Sequence, residues 1–166
     1  MNNEEKNQKI FAVILVIILL MLGIYTLFFK KSKEEPIDTE TISVVKDNDR
    51  FYTVSSCVNK YLSYLSSNDI DNLYLLLDEG YKKENNITKE NINNFIKPTM
   101  EFVTFSPRKM FEQRLSKNVY KYYIKGYIRK DTFSQVGKKE DYYIIVIMDQ
   151  SNLTFSIMPY DGEMFK

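Results

Sequence analysis

Two kinds of side chain in this 166-residue chain stand in a pattern that can do chemistry: a single thiol, Cys57, and a run of cations interleaved with phenol rings between Val119 and Lys130. In an extended chain successive side chains point to opposite faces. One face of that run therefore reads Lys121, Tyr123, Lys125, Tyr127 and Arg129, and the other reads Tyr120, Tyr122, Ile124, Gly126 and Ile128. The second face is suited to packing against helices. The first can bind single-stranded nucleic acid through phosphate contacts and base stacking, an anionic wall polymer, or an acidic protein surface. It can also be structural, with long Lys stems covering tyrosine rings on a solvated sheet face.

Charge gathers around this run. Residues 97–140 carry eleven Lys and Arg against four Asp and Glu, an excess of seven, whereas the whole chain has a formal net charge of +1. A neutral total gives no general attraction to nucleic acid or acidic substrates. The chain has no histidine, so His-dependent triads, acid/base relays and zinc sites of the usual type are excluded. No Gly-rich phosphate loop occurs. Cys57 falls beside the apolar stripe of a predicted helix and reads as a small packing residue. One thiol cannot form an intramolecular disulfide, so neither redox compartment is excluded. The sequence implies no cofactor and no metal.

The segments that position these residues begin with a run of twenty uncharged, mostly aliphatic positions from Ile10 to Phe29, between Lys9 and the pair Lys30, Lys31. Ile10, Phe11, Val13, Leu15, Ile18, Leu20, Leu22, Leu27 and Phe29 carry its apolar character, with Gly23, Tyr25 and Thr26 as departures. A helix of that length spans about 30 Å, the hydrocarbon thickness of a bilayer. A cleaved signal peptide shares the order of polar start, lysine and apolar run. This run is too long for one, however, and ends in bulky residues where a peptidase needs small ones. Cys57 lies too far beyond the run for a lipoprotein. The reading is a signal anchor: tail 1–9, transmembrane helix 10–29, linker 30–48 and a domain over 49–166. Flanking lysines balance across the span, so orientation rests on the short tail and the long following domain, which favour an extracytoplasmic domain at the cell membrane. The abundance of Lys, Asn, Ile and Tyr points to AT-rich codons and a low-GC bacterium.

The domain reads as helices followed by strands. From Asp49 as N-cap, Phe51, Val54, Val58, Tyr61, Leu62 and Leu65 make one helical stripe. A second helix begins near Asp69, presents Ile70, Leu73, Tyr74 and Leu77, and ends at Gly80. A third starts at Thr88, with Ile87 and Ile92 as a hydrophobic staple, and stops at Pro98. Period-two patterning then predicts four strands: 101–115 bent around Pro107, 119–130, 140–149 and 152–158. The run Tyr142–Met148 is apolar on both faces and reads as central. The last two strands join through a short hairpin at Asp149–Asn152. The expected class is α+β, with two to three helices on one face of a curved four-stranded antiparallel sheet.

With Phe51-Tyr52-Thr53-Val54 through Tyr61-Leu62-Ser63-Tyr64-Leu65, then Leu73 to Asp78 and Tyr81, this order of elements resembles the nuclear transport factor 2-like, or cystatin-like, superfamily over residues 49–160. The layout is similar to membrane-anchored proteins of Gram-positive bacteria and looks like the inner-membrane assembly proteins of type IV secretion and conjugation systems. The resemblance implies an interaction or scaffold domain at the cell envelope, and the basic face read from the 119–130 strand would then select a protein partner or a second copy. Nucleic acid comes last, because an external domain meets it only in a transfer channel. Isomerase members of the superfamily use a carboxylate beside a tyrosine donor inside the cone between helices and sheet. Asp78, Asp149 and several tyrosines are the residues here that such a role would draw on. None matches a catalytic pattern, and Asp78 reads more simply as a helix-end residue and Asp149 as a turn former. The alternative reading remains a small-molecule or enzymatic pocket in the same fold.

Overall fold

The computed structural model describes residues 13–21, 37–96, 102–131 and 135–166. The chain divides into two compact units, 1–36 and 37–166. In the first, residues 13–21 are helical. All nine side chains, Val13 to Met21, are apolar and between 48 and 67% exposed. Among the described residues no helix is long and apolar enough to cross a membrane. Ile10, Phe11, Leu22, Leu27 and Phe29 lie outside the described residues.

The second unit is an α+β domain. Its first helix, α1 (Asn48–Ser67), is capped by Asp47, whose carboxylate accepts the Arg50 N–H at 3.1 Å. It ends at Asn68 in the left-handed conformation (φ 56°), with the Asp69 N–H closing on the Tyr64 carbonyl. Such an ending satisfies carbonyls that the helix leaves bare. Val54, Cys57, Val58, Tyr61 and Leu62 form its buried stripe. Helix α2 (Ile70–Leu76) starts at the Asp69 cap as its sequence predicts.

Gly80 does not end that helix. The break falls at Leu77, whose extended backbone makes a parallel bridge to Ile157, and the Asp78 N–H donates to the Ile157 carbonyl at 2.9 Å. Asp78 then caps a further short helix, α3 (Glu79–Glu84), in which Gly80 is an interior residue. The helix expected from Thr88 is reduced, among the described residues, to a 3₁₀ turn at Ile92–Asn94. Thr88 does not cap this turn, whose N-cap position is Asn91; the Asn91 side chain instead accepts the Thr88 N–H. The staple residues are nevertheless buried, Ile87 at 4% and Ile92 at 0% exposure. Pro98 lies outside the described residues.

Among the described residues the sheet has five strands rather than four, in the order β1 (Ile42–Val44), β2 (Phe102–Arg114), β3 (Val119–Asp131), β4 (Lys139–Asp149) and β5 (Thr154–Pro159), each antiparallel to its neighbours. β1 lies within the stretch read as linker. Three residues are too few to show a period, and it is the register of Ile42 on Gln113 and Val44 on Phe111 that makes them a strand. The bend expected at Pro107 is a bulge, with the β2–β3 register shifting between Pro107 and Lys109. β1 does not reach that far along β2, so no partner there needs the N–H that proline lacks. β4 is interior, paired to β3 and β5, and β3 is the middle strand.

Helices cover the face of the sheet that carries Met110, Tyr122, Ile124, Ile144, Val146 and Ile157, all 1% exposed or less. The parity read from the β3 sequence is therefore correct. At one end of this core Arg50 of α1 reaches Glu112 of β2 at 2.7 Å and lies over the Tyr120 ring. Gln150 donates to the Tyr122 hydroxyl at 3.0 Å.

Candidate functional site

The outer face of β3 holds Lys121, Tyr123, Lys125, Tyr127 and Arg129 together, all half-buried. Each cation has a partner on that face. Lys121 sits 5.1 Å over the Tyr123 ring, and Lys125 sits 5.4 Å over Tyr143 of β4 and 3.6 Å from the Asp141 carboxylate. The Tyr143 hydroxyl and the Asp141 charge raise the Lys125 ammonium above its usual range. Arg129 pairs with Asp131 at 2.9 Å, Arg108 covers Tyr127, and Lys109 covers Phe111. Tyr123 donates to the Gln113 side chain at 2.9 Å. The result is a row of cations laid over rings, held in place rather than waving in solvent.

Sequence reasoning missed what lies across the same face. After β5 the chain turns at Gly162 (φ 80°) into a 3₁₀ turn, Glu163–Phe165. Phe165 packs on Phe111, Tyr143 and Tyr160, and Tyr160 on Tyr123. The Tyr160 hydroxyl accepts the Met164 N–H at 2.6 Å. Ile145, opposite Tyr123 in the ladder, is 3% exposed yet stands apart from the main core. A second, small aromatic core thus exists outside the sheet. It explains why β4, an interior strand, is apolar on both faces, and that two-faced pattern was the sequence signal for it.

A cleft of about 350 Å³ opens where β4 outruns β5. Tyr61 and Leu65 of α1, Phe95 and Ile96 after the 3₁₀ turn, and Tyr142, Ile144 and Pro159 form its apolar wall, while Asp141, Tyr143 and Tyr160 form its rim. Inside, the Tyr61 and Tyr142 hydroxyls are hydrogen-bonded to each other. Burial pushes both phenols up, Tyr142 to about 12 and Tyr61 well above its ordinary value. Both stay protonated at neutral pH, so they can donate and accept hydrogen bonds but supply no base. Apolar walls with a few convergent polar groups are the usual make-up of a binding site.

Neither carboxylate considered from the sequence lines this cleft. Asp78 accepts the Tyr81 N–H at 3.1 Å and the Ser156 hydroxyl at 3.2 Å, as a cap tied to β5. Asp149 accepts the Ser151 hydroxyl and N–H in the β4–β5 turn, bonds that lower its carboxyl. Cys57 is buried in the core with its thiol on the Thr53 carbonyl, and burial pushes it up to about 11. A thiol so protonated is a poor nucleophile. Among the described residues no group of acidic or sulfur ligands is arranged to hold a metal ion. No family model, curated protein or solved structure matches this chain.

Proposed function

We propose that this chain is a membrane-tethered interaction domain at a bacterial cell envelope, its folded unit held on the extracytoplasmic side and its basic, aromatic sheet face selecting a protein partner or a second copy. The observation that carries the reading is the helical segment 13–21: nine consecutive apolar side chains, none buried by protein. They lie inside a twenty-residue uncharged run. Apolar surface of that extent needs lipid or another apolar surface around it. The domain that follows supplies a surface rather than a reaction centre. The outer face carries Lys109, Lys121, Lys125 and Arg108 over aromatic rings, which supports electrostatic selection of an acidic partner. Tethering raises the local concentration of the domain at the membrane, so modest contacts suffice for assembly. Membership of the nuclear transport factor 2-like superfamily belongs to the same proposal and rests on the order of helices and antiparallel meander. A scaffold role in secretion or conjugation rests on that likeness of layout.

The test is crosslinking in intact cells, then denaturing purification of the tagged full-length chain. Recovery of envelope or transfer-channel proteins is expected. Recovery of the chain alone and only as an uncrosslinked monomer would overturn the interaction reading and favour a second one, a small-molecule pocket, for which the specific observation is the cleft at Tyr61 and Tyr142.

A further inference from the structure

β4 runs from Lys139 to Asp149, but β5 pairs with it only from Ile144 to Asp149. Residues 139–143 are laddered to β3 on one side, Lys139 opposite Arg129 through Tyr143 opposite Lys125. On the other side they have no strand among the described residues. Alternate N–H and C=O groups of this stretch therefore face away from the sheet without a ladder partner, which makes it a template for another strand. The cleft lies on that same edge: Asp141, Tyr142 and Tyr143 belong both to the open edge and to its lining. Beyond Pro159 the chain leaves the line of β5 for the outer face, so no strand among the described residues takes the lane it vacates.

We infer that the open edge of β4 at Lys139–Tyr143 binds an extended protein segment that prolongs the sheet in the lane of β5, with an aliphatic side chain in the adjoining cleft and acidic residues at its C-terminal end. The inference rests on the interaction-domain reading but uses the backbone edge of β4, which adjoins the basic face at Asp141 and Tyr143. A strand in that lane runs antiparallel to β4. Its residue opposite Tyr142 shares the face of Tyr142 and so enters the cleft among Tyr61, Leu65, Phe95 and Ile96. The residue opposite Glu140 lies beside that exposed carboxylate at the rim of the same face, so it is not acidic. The C-terminal end of the segment arrives beside Lys138 and Lys139, both exposed. Charge complementarity at that end sets its direction. Main-chain bonds supply affinity in this mode and the alternate side chains supply selectivity.

The test uses the full-length chain in lipid nanodiscs and a fluorescein-labelled peptide, Thr-Leu-Thr-Val-Glu-Asp, followed by anisotropy. Saturable binding is expected. N-methylation of the peptide on the nitrogens that face β4 should weaken it about tenfold or more, because the ladder bonds are removed. The Lys138→Glu/Lys139→Glu double variant, altered at two exposed positions that leave the fold intact, should weaken it about fivefold at low salt and less at high salt. A Phe95→Ala variant should weaken it as well. Equal binding of the methylated peptide, or indifference to the two charge reversals, overturns the inference. No saturable binding overturns it even where crosslinking in cells recovers a partner. Failure of the peptide together with recovery of no partner overturns the interaction reading as well.

Discussion

Gly162 lies flat against the ring of Tyr143: a β-carbon built on it would stand 2.6 Å from the ring carbons Cγ and Cδ1, and its φ is 80°. Both facts require glycine. Left-handed backbone costs an L-residue about 1–2 kcal/mol, and the added methyl must also displace a ring that supports Phe165 and Lys125. Gly162→Ala is therefore expected to cost about 1–3 kcal/mol in urea unfolding. Phe165→Ala should cost a similar amount by removing the ring packed on Phe111, Tyr143 and Tyr160. A Gly162→Ala chain of unchanged stability would show that the C-terminal turn is not held on the sheet by this contact.

Arg50 and Glu112 join α1 to β2 across 62 positions of sequence at 2.7 Å, with side chains 31% and 20% exposed. The Glu112 hydrogen bond raises the Arg50 guanidinium above its usual range. Partial exposure screens the pair, so a double-mutant cycle of Arg50→Met and Glu112→Gln should give a coupling of about 1 kcal/mol. Each single variant should lose more than the cycle assigns to the pair, because a half-buried partner is left unmatched. A coupling indistinguishable from zero would remove the ion pair from the account of how α1 is fixed on the sheet.

Local rules made most of the domain legible. The stripe Val54–Val58–Tyr61–Leu62 and the alternation from Tyr120 to Ile128 announced a helix and a strand because burial imposes period 3.6 on one and period 2 on the other. The failures share a cause: their deciding contacts are distant in sequence. Leu77 ends α2 because Ile157, eighty positions later, captures its backbone. Ile42–Val44 becomes a strand because Phe111–Gln113 offers an edge. The cleft was illegible for the same reason. Tyr61, Phe95, Tyr142 and Tyr160 come from four elements, and no spacing along the chain links them.

Raised acids set the alkaline limit of stability. Burial pushes Tyr122 and Tyr142 to about 12, Cys57 to about 11 and Tyr61 well above its ordinary value. In the unfolded chain the phenols ionise near 10 and the thiol near 9. Between those values and the folded ones the native state holds protons that the unfolded state releases, so stability falls as pH rises. Stability should be flat between about pH 6 and 9 and decline steeply between about pH 10 and 12. Absorbance at 295 nm should show a late group, Tyr61, Tyr122 and Tyr142, that ionises with unfolding. Tyr61→Phe should remove one phenol from that late group. Titration of all tyrosines in one step, with the fold intact, would contradict this burial.

The basic face separates binding from folding. Lys121 has a ring beneath it, whereas Lys125 and Arg129 are tied to Asp141 and Asp131. Full charge reversal at all three would set new carboxylates beside old ones. The cleaner triple variant is therefore Lys121→Glu, Lys125→Gln, Arg129→Gln. Exposed pairs of this kind contribute about 0–1 kcal/mol each, so unfolding midpoints should move little while recovery of a partner in cells falls several-fold. Undiminished co-purification would take the face out of the proposed function and leave the β4 edge as the candidate surface.

Membrane topology can be read with one added thiol, because the native one is silent. Cys57 is 6% exposed and protonated up to about pH 11, so an impermeant maleimide at pH 7.5 should leave it unmodified. If its removal is wanted, Cys57→Ser should be mild. A serine hydroxyl can repeat the bond to the Thr53 carbonyl, as Ser55 and Ser66 already bond to Phe51 and Leu62 four residues back. Thr39 is exposed, and it is its backbone carbonyl that the Gln113 side chain holds. Thr39→Cys therefore offers a reactive thiol at little cost to the fold. Labelling of Thr39→Cys in intact cells places the domain outside the membrane, as the short tail and long following domain predict. Labelling only after the membrane is opened would place it inside, and the acidic partner would then have to be sought in the cytoplasm.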